Sequence, residues 1–367
     1  NTFDMKSGVS AGNRWGLKGT EDLGNGYKVG FVLENGFSED DGKLGNGGRL
    51  FGREANLYVA SDFGTLSFGR VGALTSGAGS YDQLKFTPFA TGWGNTATKA
   101  NFMIGDRDRM DNTVTYVTPS FAGVKVYAQY SFNRDGQEKA GNERQNDRYA
   151  ALGASYKNGA FQSALVVDTV MHNYDSTNDK DSLGVTLGAS YDFEVVKLFA
   201  MAQYGQHESA IGYATSSLNE GTKLTKENVA AANDKYKADY FKVLSDKGWK
   251  GYTLNLGATA PVLGGTFLAQ ASYADSKTED GLTYEAASKG YTATSTALVE
   301  ESKGQVEKLK AQNWGIAMGY TYPFSKRTNV YTYVSYAELK LKATDADGTD
   351  TIKTKQTEFG LGLKHTF

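Results

Sequence analysis

Phe359-Gly360-Leu361-Gly362-Leu363-Lys364-His365-Thr366-Phe367 is the stretch that decides the fold of this chain. Large apolar residues stand at alternate positions (Phe359, Leu361, Leu363, then Phe367), with Gly or polar residues between them. One face of such an extended segment meets something apolar, and the other meets water or small groups. The same alternation recurs in Tyr252-Thr253-Leu254-Asn255-Leu256-Gly257-Ala258, in Trp314-Gly315-Ile316-Ala317-Met318-Gly319-Tyr320 and in Val124-Lys125-Val126-Tyr127-Ala128-Gln129-Tyr130. Strands of about ten residues are what a tilted crossing of a bilayer requires. A strand that stops on an aromatic terminus, as this one does at Phe367, is expected of an outer-membrane barrel.

Composition narrows the reading. Mean hydropathy is -0.47 and no run of eighteen apolar residues occurs, so no helix of this chain crosses a membrane. A barrel escapes that test, because only alternate residues touch lipid. Gly 44, Tyr 23 and Phe 19 against Pro 4 suit strands with small inward residues and aromatic ends, although composition alone leaves open a soluble, β-rich secreted protein. Cys 0 removes disulfides, thiolate metal sites and a Cys nucleophile. A net charge of -2 argues against a nucleic-acid partner, which usually demands a clear basic excess. No linker or change of style interrupts the chain, so a single barrel domain over residues 1–367 is expected.

Short joints and long polar stretches alternate along the sequence. Glu21 to Gly26, Ser61 to Gly64, Thr118 to Gly123, Lys157 to Gly159, Asp192 to Glu194, Pro261 to Gly265 and Pro323 to Arg327 hold the turn residues Gly, Asn and Pro. Residues 38–49, 74–111, 133–147, 171–181, 206–249, 276–311 and 340–353 form the long stretches. Short turns at one rim and long loops at the other, outer, rim are the asymmetry of an outer-membrane barrel. The Ala, Glu and Lys content of residues 222–247 and 296–312 reads either as short helices on the external loops or as solvated loop. Fifteen strands are legible, at 10–20, 26–37, 51–61, 64–72, 112–119, 122–132, 148–157, 160–170, 182–192, 195–205, 250–260, 265–275, 312–322, 327–339 and 354–367. The first and last run in the same direction. Antiparallel closure therefore expects sixteen, the opening strand being stunted within residues 1–9 or preceding Asn1.

With that pattern in place, the chain resembles the Gram-negative general porins, above all those of Neisseria and related β-proteobacteria. The resemblance is carried by Arg14-Trp15-Gly16-Leu17-Lys18-Gly19-Thr20-Glu21-Asp22-Leu23-Gly24-Asn25-Gly26, Phe63-Gly64-Thr65-Leu66-Ser67-Phe68-Gly69-Arg70, Asp111-Asn112-Thr113-Val114-Thr115-Tyr116, Phe324-Ser325-Lys326-Arg327-Thr328 and Gly362-Leu363-Lys364-His365-Thr366-Phe367. It implies a homotrimer of sixteen-stranded antiparallel transmembrane β-barrels in the bacterial outer membrane, set among outer-membrane lipid and lipopolysaccharide. The third long loop, residues 74–111, would fold into each lumen. Such a barrel is too wide for side chains to fill, so the inserted loop sets the narrowest point, and selectivity depends on which charges face each other there.

The resemblance also implies wall arginines opposite acids on the loop. Matched motif to motif, Arg14, Arg70 and Arg109 are the wall arginines. Lys18 and Lys28 join them on the inward face, since Trp15, Leu17, Tyr27, Val29 and Phe31 take the lipid side. The loop departs from the family where an acid usually follows its proline: Pro88-Phe89-Ala90 stands there, and between residues 75 and 105 Asp82 is the sole acid against Lys85 and Lys99. Asp106, Asp108 and Asp111 interleave with Arg107 and Arg109, where local pairing would cancel them. A constriction with a positive balance and a mild anion preference is expected. Phe86, Phe89, Trp93 and Phe102 read as anchors of the loop against the inner wall rather than as a track for sugars.

Catalysis is not expected. His172, His207 and His365 have no recognisable nucleophile partner, and no G-x-S-x-G, H-E-x-x-H or P-loop is present. Glu39-Asp40-Asp41 is solvated acid rather than a cation site. The reading is a passive channel for ions and small hydrophilic solutes, without cofactor. A substrate-specific channel or a surface adhesin barrel are the alternatives.

Overall fold

Backbone polar groups cannot be left unpaired in hydrocarbon, so a chain whose strands alternate apolar and polar must pair them side by side. The computed structural model describes residues 3–89, 92–93, 103–105, 107–137, 145–173, 180–212, 241–244, 248–278, 282–289, 299–306, 308–345 and 348–367. It shows one fifteen-stranded sheet, antiparallel throughout, whose order in space follows the sequence. The strands are β1 (Arg14–Gly24), β2 (Tyr27–Gly36), β3 (Glu54–Ser61), β4 (Gly64–Gly72), β5 (Arg109–Val117), β6 (Val124–Ser131), β7 (Arg148–Asn158), β8 (Phe161–Met171), β9 (Leu183–Asp192), β10 (Lys197–Glu208), β12 (Trp249–Val262), β13 (Gly265–Thr278), β16 (Lys308–Pro323), β17 (Thr328–Asp345) and β18 (Gly348–His365). A second, three-stranded sheet of β11 (Phe241–Leu244), β14 (Leu282–Lys289) and β15 (Val299–Val306) belongs to the long connections. Among the described residues the named helical element is a 3₁₀ turn, Asn46–Gly48, and Gln145 is also in 3₁₀ conformation.

Burial is inverted relative to a water-soluble protein. Trp15, Leu17, Phe31, Leu57, Leu152, Leu187, Leu254, Leu256, Ile316, Met318, Phe359 and Leu361 are exposed, whereas Thr113, Thr115, Gln129, Thr186, Gln203, Thr253, Asn255, Gln270 and Ser272 are buried. Those polar groups bond across the inner wall: Gln129 Nε2 donates to Thr115 Oγ1 (3.0 Å), Gln203 Nε2 to Thr186 Oγ1 (2.9 Å) and Ser272 Oγ to Asn255 Oδ1 (2.6 Å). Apolar residues outside and bonded polar residues inside are the pattern of a barrel in lipid. At the short-turn rim, Asn25 (φ 52°) and Gly26 (φ 79°) form a two-residue hairpin turn whose left-handed backbone matches the strand twist.

β1 and β18 end the sheet and do not pair with each other. With an odd number of antiparallel strands they run the same way, so closure takes one more strand between them, as the sequence directions require.

Three expectations are corrected. The first strand starts at Arg14 rather than residue 10. Residues 340–353, read as a loop, are nearly all strand: Leu339 and Leu341 are buried while Lys340 and Lys342 face outward, an alternation that the charge content concealed. The helix reading at 296–312 gives way to β15 and the start of β16. Ala, Glu and Lys favour helix only weakly, and pairing of β15 to β14 from Leu282↔Val306 to Lys289↔Val299 overrides that preference. The other helix reading, 222–247, lies outside the described residues except Phe241–Leu244, which is strand.

Candidate functional site

The connection from β4 to β5 packs along the inner wall, and glycines in the wall provide the room. A Cβ on Gly188 of β9 would collide with the Phe86 ring, one on Gly257 of β12 with Pro88, and one on Gly319 of β16 would lie 2.9 Å from Phe89. Loop residues Leu84, Phe86 and Met103 form an apolar cluster with Ala164 of β8 and Met201 of β10. Phe89 and Trp93 form another with Leu268, Ala317, Tyr331 and Tyr333. Trp93 also stacks edgewise on Tyr331 at 4.9 Å, and its backbone N–H donates to Val9 O at 2.5 Å, so residues 9–10 lie against the loop. Phe86, Phe89 and Trp93 thus anchor the loop; Phe102 lies outside the described residues.

The loop's return limb is fixed by charge. Arg107 is fully enclosed between Asp168 of β8 and Glu208 of β10: its Nη2 donates to Asp168 Oδ1 (2.7 Å) and Glu208 Oε1 (2.8 Å), and its Nη1 to Glu208 Oε2. Asp168 also accepts from Thr75 Oγ1 (2.7 Å) and Tyr149 Oη (3.1 Å). Asp168 therefore holds both limbs of the loop, through Thr75 and Arg107, and Arg107 adds the tie to β10. Buried ion pairs of this kind persist when their remaining lone pairs are satisfied, as here. Arg107, expected at the constriction, is a bolt behind the loop rather than a charge facing the lumen. Asp82 is likewise turned inward at 5% exposure, accepting from the Gly77 (2.6 Å) and Leu84 (3.2 Å) N–H groups.

The lumen face near the loop carries a basic group. Arg53 Nε donates to Glu34 Oε1 at 2.6 Å, and Arg14 Nη1 stands 3.9 Å from the same oxygen. Arg109 lies within electrostatic reach of Arg53, Arg14 and Glu34; it pairs with the exposed Asp108 at 3.2 Å, and its buried Nε has no hydrogen-bond partner among the described residues. That this face is internal follows from Glu54, opposite Glu34 in the register, which accepts from Ser80 of the inserted loop at 2.6 Å. Three guanidinium groups therefore share the carboxylates Glu34 and Asp108.

Arg70 is not part of this group. It donates to Asp111 (2.7 Å), which also takes Arg49 (2.7 Å), and to Gly52 O (2.8 Å). Lys18 shares the face of Arg14, since Lys18↔Val32 and Arg14↔Gly36 are in register, and Lys28 faces Asp22 there. Lys85 is exposed between the buried Leu84 and Phe86, hence on the loop face turned from the wall. Lys99 and Asp106 lie outside the described residues. Sequence reasoning missed Arg53, Glu34, Asp168 and Glu208. Asp168 had a signal, a lone carboxylate in the apolar strand Leu165-Val166-Val167-Asp168-Thr169-Val170, where a charge in a membrane segment marks a specific partner.

Among known proteins, the Gram-negative porin family profile matches residues 1–344. An outer membrane porin of Bordetella pertussis is 32% identical over 100% of this chain and 85% of its own length. Outer membrane porin protein 32 of Delftia acidovorans is 30% identical over 70% of this chain and 74% of its own. Among solved structures, the anion-selective porin from Comamonas acidovorans superposes with a TM-score of 0.64 at 24% identity, covering 99% of this chain and 91% of that one.

Proposed function

This chain belongs to the Gram-negative porin family and is an outer-membrane channel protein, and from that premise we propose that Arg14, Arg53 and Arg109 form the charged wall of its constriction, opposite Lys85 on the inserted loop. The observation that carries the reading is the sharing of Glu34 by Arg14 and Arg53 with Arg109 beside them. Arg14, Arg53, Arg109 and Lys85 outnumber the carboxylates Glu34, Glu54 and Asp108 by one, and such an excess, walled by low dielectric, focuses a positive potential into the water path. Lys18 and Lys28 extend that potential toward the short-turn rim. The channel passes ions and small hydrophilic solutes by diffusion with a mild anion preference; its residues bind no cofactor and perform no chemistry. The loop aromatics are buried against the wall, which favours a general channel over an aromatic-track, substrate-specific one. By family analogy the assembly is a trimer, which native mass measurement in detergent checks.

Reversal potential across a salt gradient in a planar bilayer tests the constriction. The natural protein is expected to lean toward anions, and Arg14→Gln/Arg53→Gln/Arg109→Gln to move toward cations with channel steps retained. A cation-leaning natural protein, or an unmoved variant, overturns the assignment.

A further inference from the structure

The outward faces of β12, β13, β16, β17 and β18 are arranged in tiers. Leu254, Leu256, Ile316, Met318, Val334, Phe359 and Leu361 make an apolar band. On its loop side, Tyr252 packs against Tyr273 at 6.2 Å and Trp314 against Tyr336 at 5.3 Å, an aromatic girdle of the kind that sits at headgroup level. Above the girdle, on the same faces, stand Lys250, Lys277, Lys310, Lys342, Lys340 and Lys353, joined at the edges by Lys308 and Lys355. Their intervening neighbours Leu309, Ala311, Leu339 and Leu341 are buried on the opposite face, which fixes the lysines outward.

The register brings like charges together. Lys250↔Lys277, Lys277↔Lys310, Lys310↔Lys342 and Lys340↔Lys353 are direct cross-strand partners. Such pairs destabilise a sheet by themselves. Among the described residues two carboxylates share these faces, and each is already engaged: Asp275 with Lys310 (3.3 Å) and Glu338 with Lys355 (3.9 Å). Lys277, Lys340, Lys342 and Lys353 have no carboxylate partner among the described residues. The arrangement calls for an external anion, held where the girdle places the outer-leaflet headgroups. Four strand spacings, roughly 19 Å, separate β12 from β18, which is broad enough for a headgroup with more than one phosphate.

We propose that this lysine tier is a docking surface for the phosphate groups of a phosphorylated glycolipid of the outer leaflet. The proposal rests on the outer-membrane channel reading. Each lysine supplies a cation at the surface and lays its stem along the girdle, so binding is electrostatic and weakens with added salt. The full chain in detergent is titrated with diphosphorylated lipid A, or with the same lipid enzymatically dephosphorylated, and adducts are counted by native mass spectrometry. The natural protein is expected to hold the phosphorylated lipid. Lys277→Gln/Lys340→Gln/Lys342→Gln/Lys353→Gln is expected to lose at least about tenfold in affinity, whereas Lys326→Gln at the short-turn rim is expected to lose nothing. Equal retention by the quadruple variant, or equal binding of the dephosphorylated lipid, overturns the site. Channel steps of the same preparations in a phosphatidylcholine bilayer are recorded alongside, so that a failed pore and a failed lipid site are read separately.

Discussion

The wall from β1 to β10 and the wall from β12 to β18 face the same lipid but differ in height. The first ten strands run 8 to 12 residues, close to the 9 to 11 that a tilted crossing needs. The last five of the main sheet run 14 to 18, so their loop-side ends stand clear of the hydrocarbon. The short wall supplies most of the inward charge: Arg14, Glu34, Arg53, Arg109 and the enclosed Arg107 with Asp168 and Glu208. On the tall wall the distinctive charge is outward, the lysines above the girdle. Strand length is thus partitioned by task. A wall that only crosses and holds the loop needs no surplus residues, and a wall that meets headgroups does.

The largest effect should come from breaking the short wall's hold on the loop. Arg107→Ala leaves Asp168 and Glu208 as two buried carboxylates without their cation, a loss of about 3 to 5 kcal/mol where the pair is enclosed. Lower thermal stability together with raised, noisier single-channel conductance is expected. If both stayed at natural values, the loop would be held by its apolar contacts alone. A triple replacement, Arg107→Met/Asp168→Asn/Glu208→Gln, removes the charges together and should recover much of the stability.

A middling effect is expected at the glycine seats. Gly188→Val places methyl groups in the space of the Phe86 ring, and overpacking of that kind costs about 1 to 3 kcal/mol. Phe86 must move off the wall into the lumen, narrowing the channel and lowering conductance. Adding Phe86→Ala should restore part of the conductance, and strict additivity of the two changes in a double-mutant cycle would deny their contact.

Smallest of all should be the effect of trimming the tall wall. Deleting residues 343–350 from the β17–β18 hairpin removes strand beyond the lysine tier, far from Arg14, Arg53 and Arg109. Conductance and reversal potential are expected to stay at natural values in planar bilayers. A shifted reversal potential would show that the tall rim contributes to the field of the pore, and the division between the two walls would fall.

Much of this architecture is legible in sequence because lipid imposes a local rule. Each crossing strand must alternate, each short turn must contain residues that tolerate its backbone, and both signals lie within about ten consecutive residues. Trp314 to Tyr320, the Asn25-Gly26 turn and the fifteen-strand count could be read that way. Leu339-Lys340-Leu341-Lys342 obeyed the same rule and was obscured only by its lysines, which suggested solvated loop.

The charges obey no local rule. Arg107 meets Asp168 across 61 positions and Glu208 across 101, and Arg49 meets Asp111 across 62. Nothing in the neighbourhood of Arg107 distinguishes it from Arg109 two residues later, yet one is enclosed between two carboxylates and the other faces the basic cluster. The sequence by itself determined an outer-membrane barrel and its strand order, since periodicity is a property of neighbours along the chain; the loop that enters it was implied by the resemblance to porins and by no local pattern. The tertiary structure alone decided that Arg107 is enclosed between Asp168 and Glu208 while Arg14 and Arg53 share Glu34, because an ion pair depends on distance in space, and that distance is set only when the strands pair into one sheet.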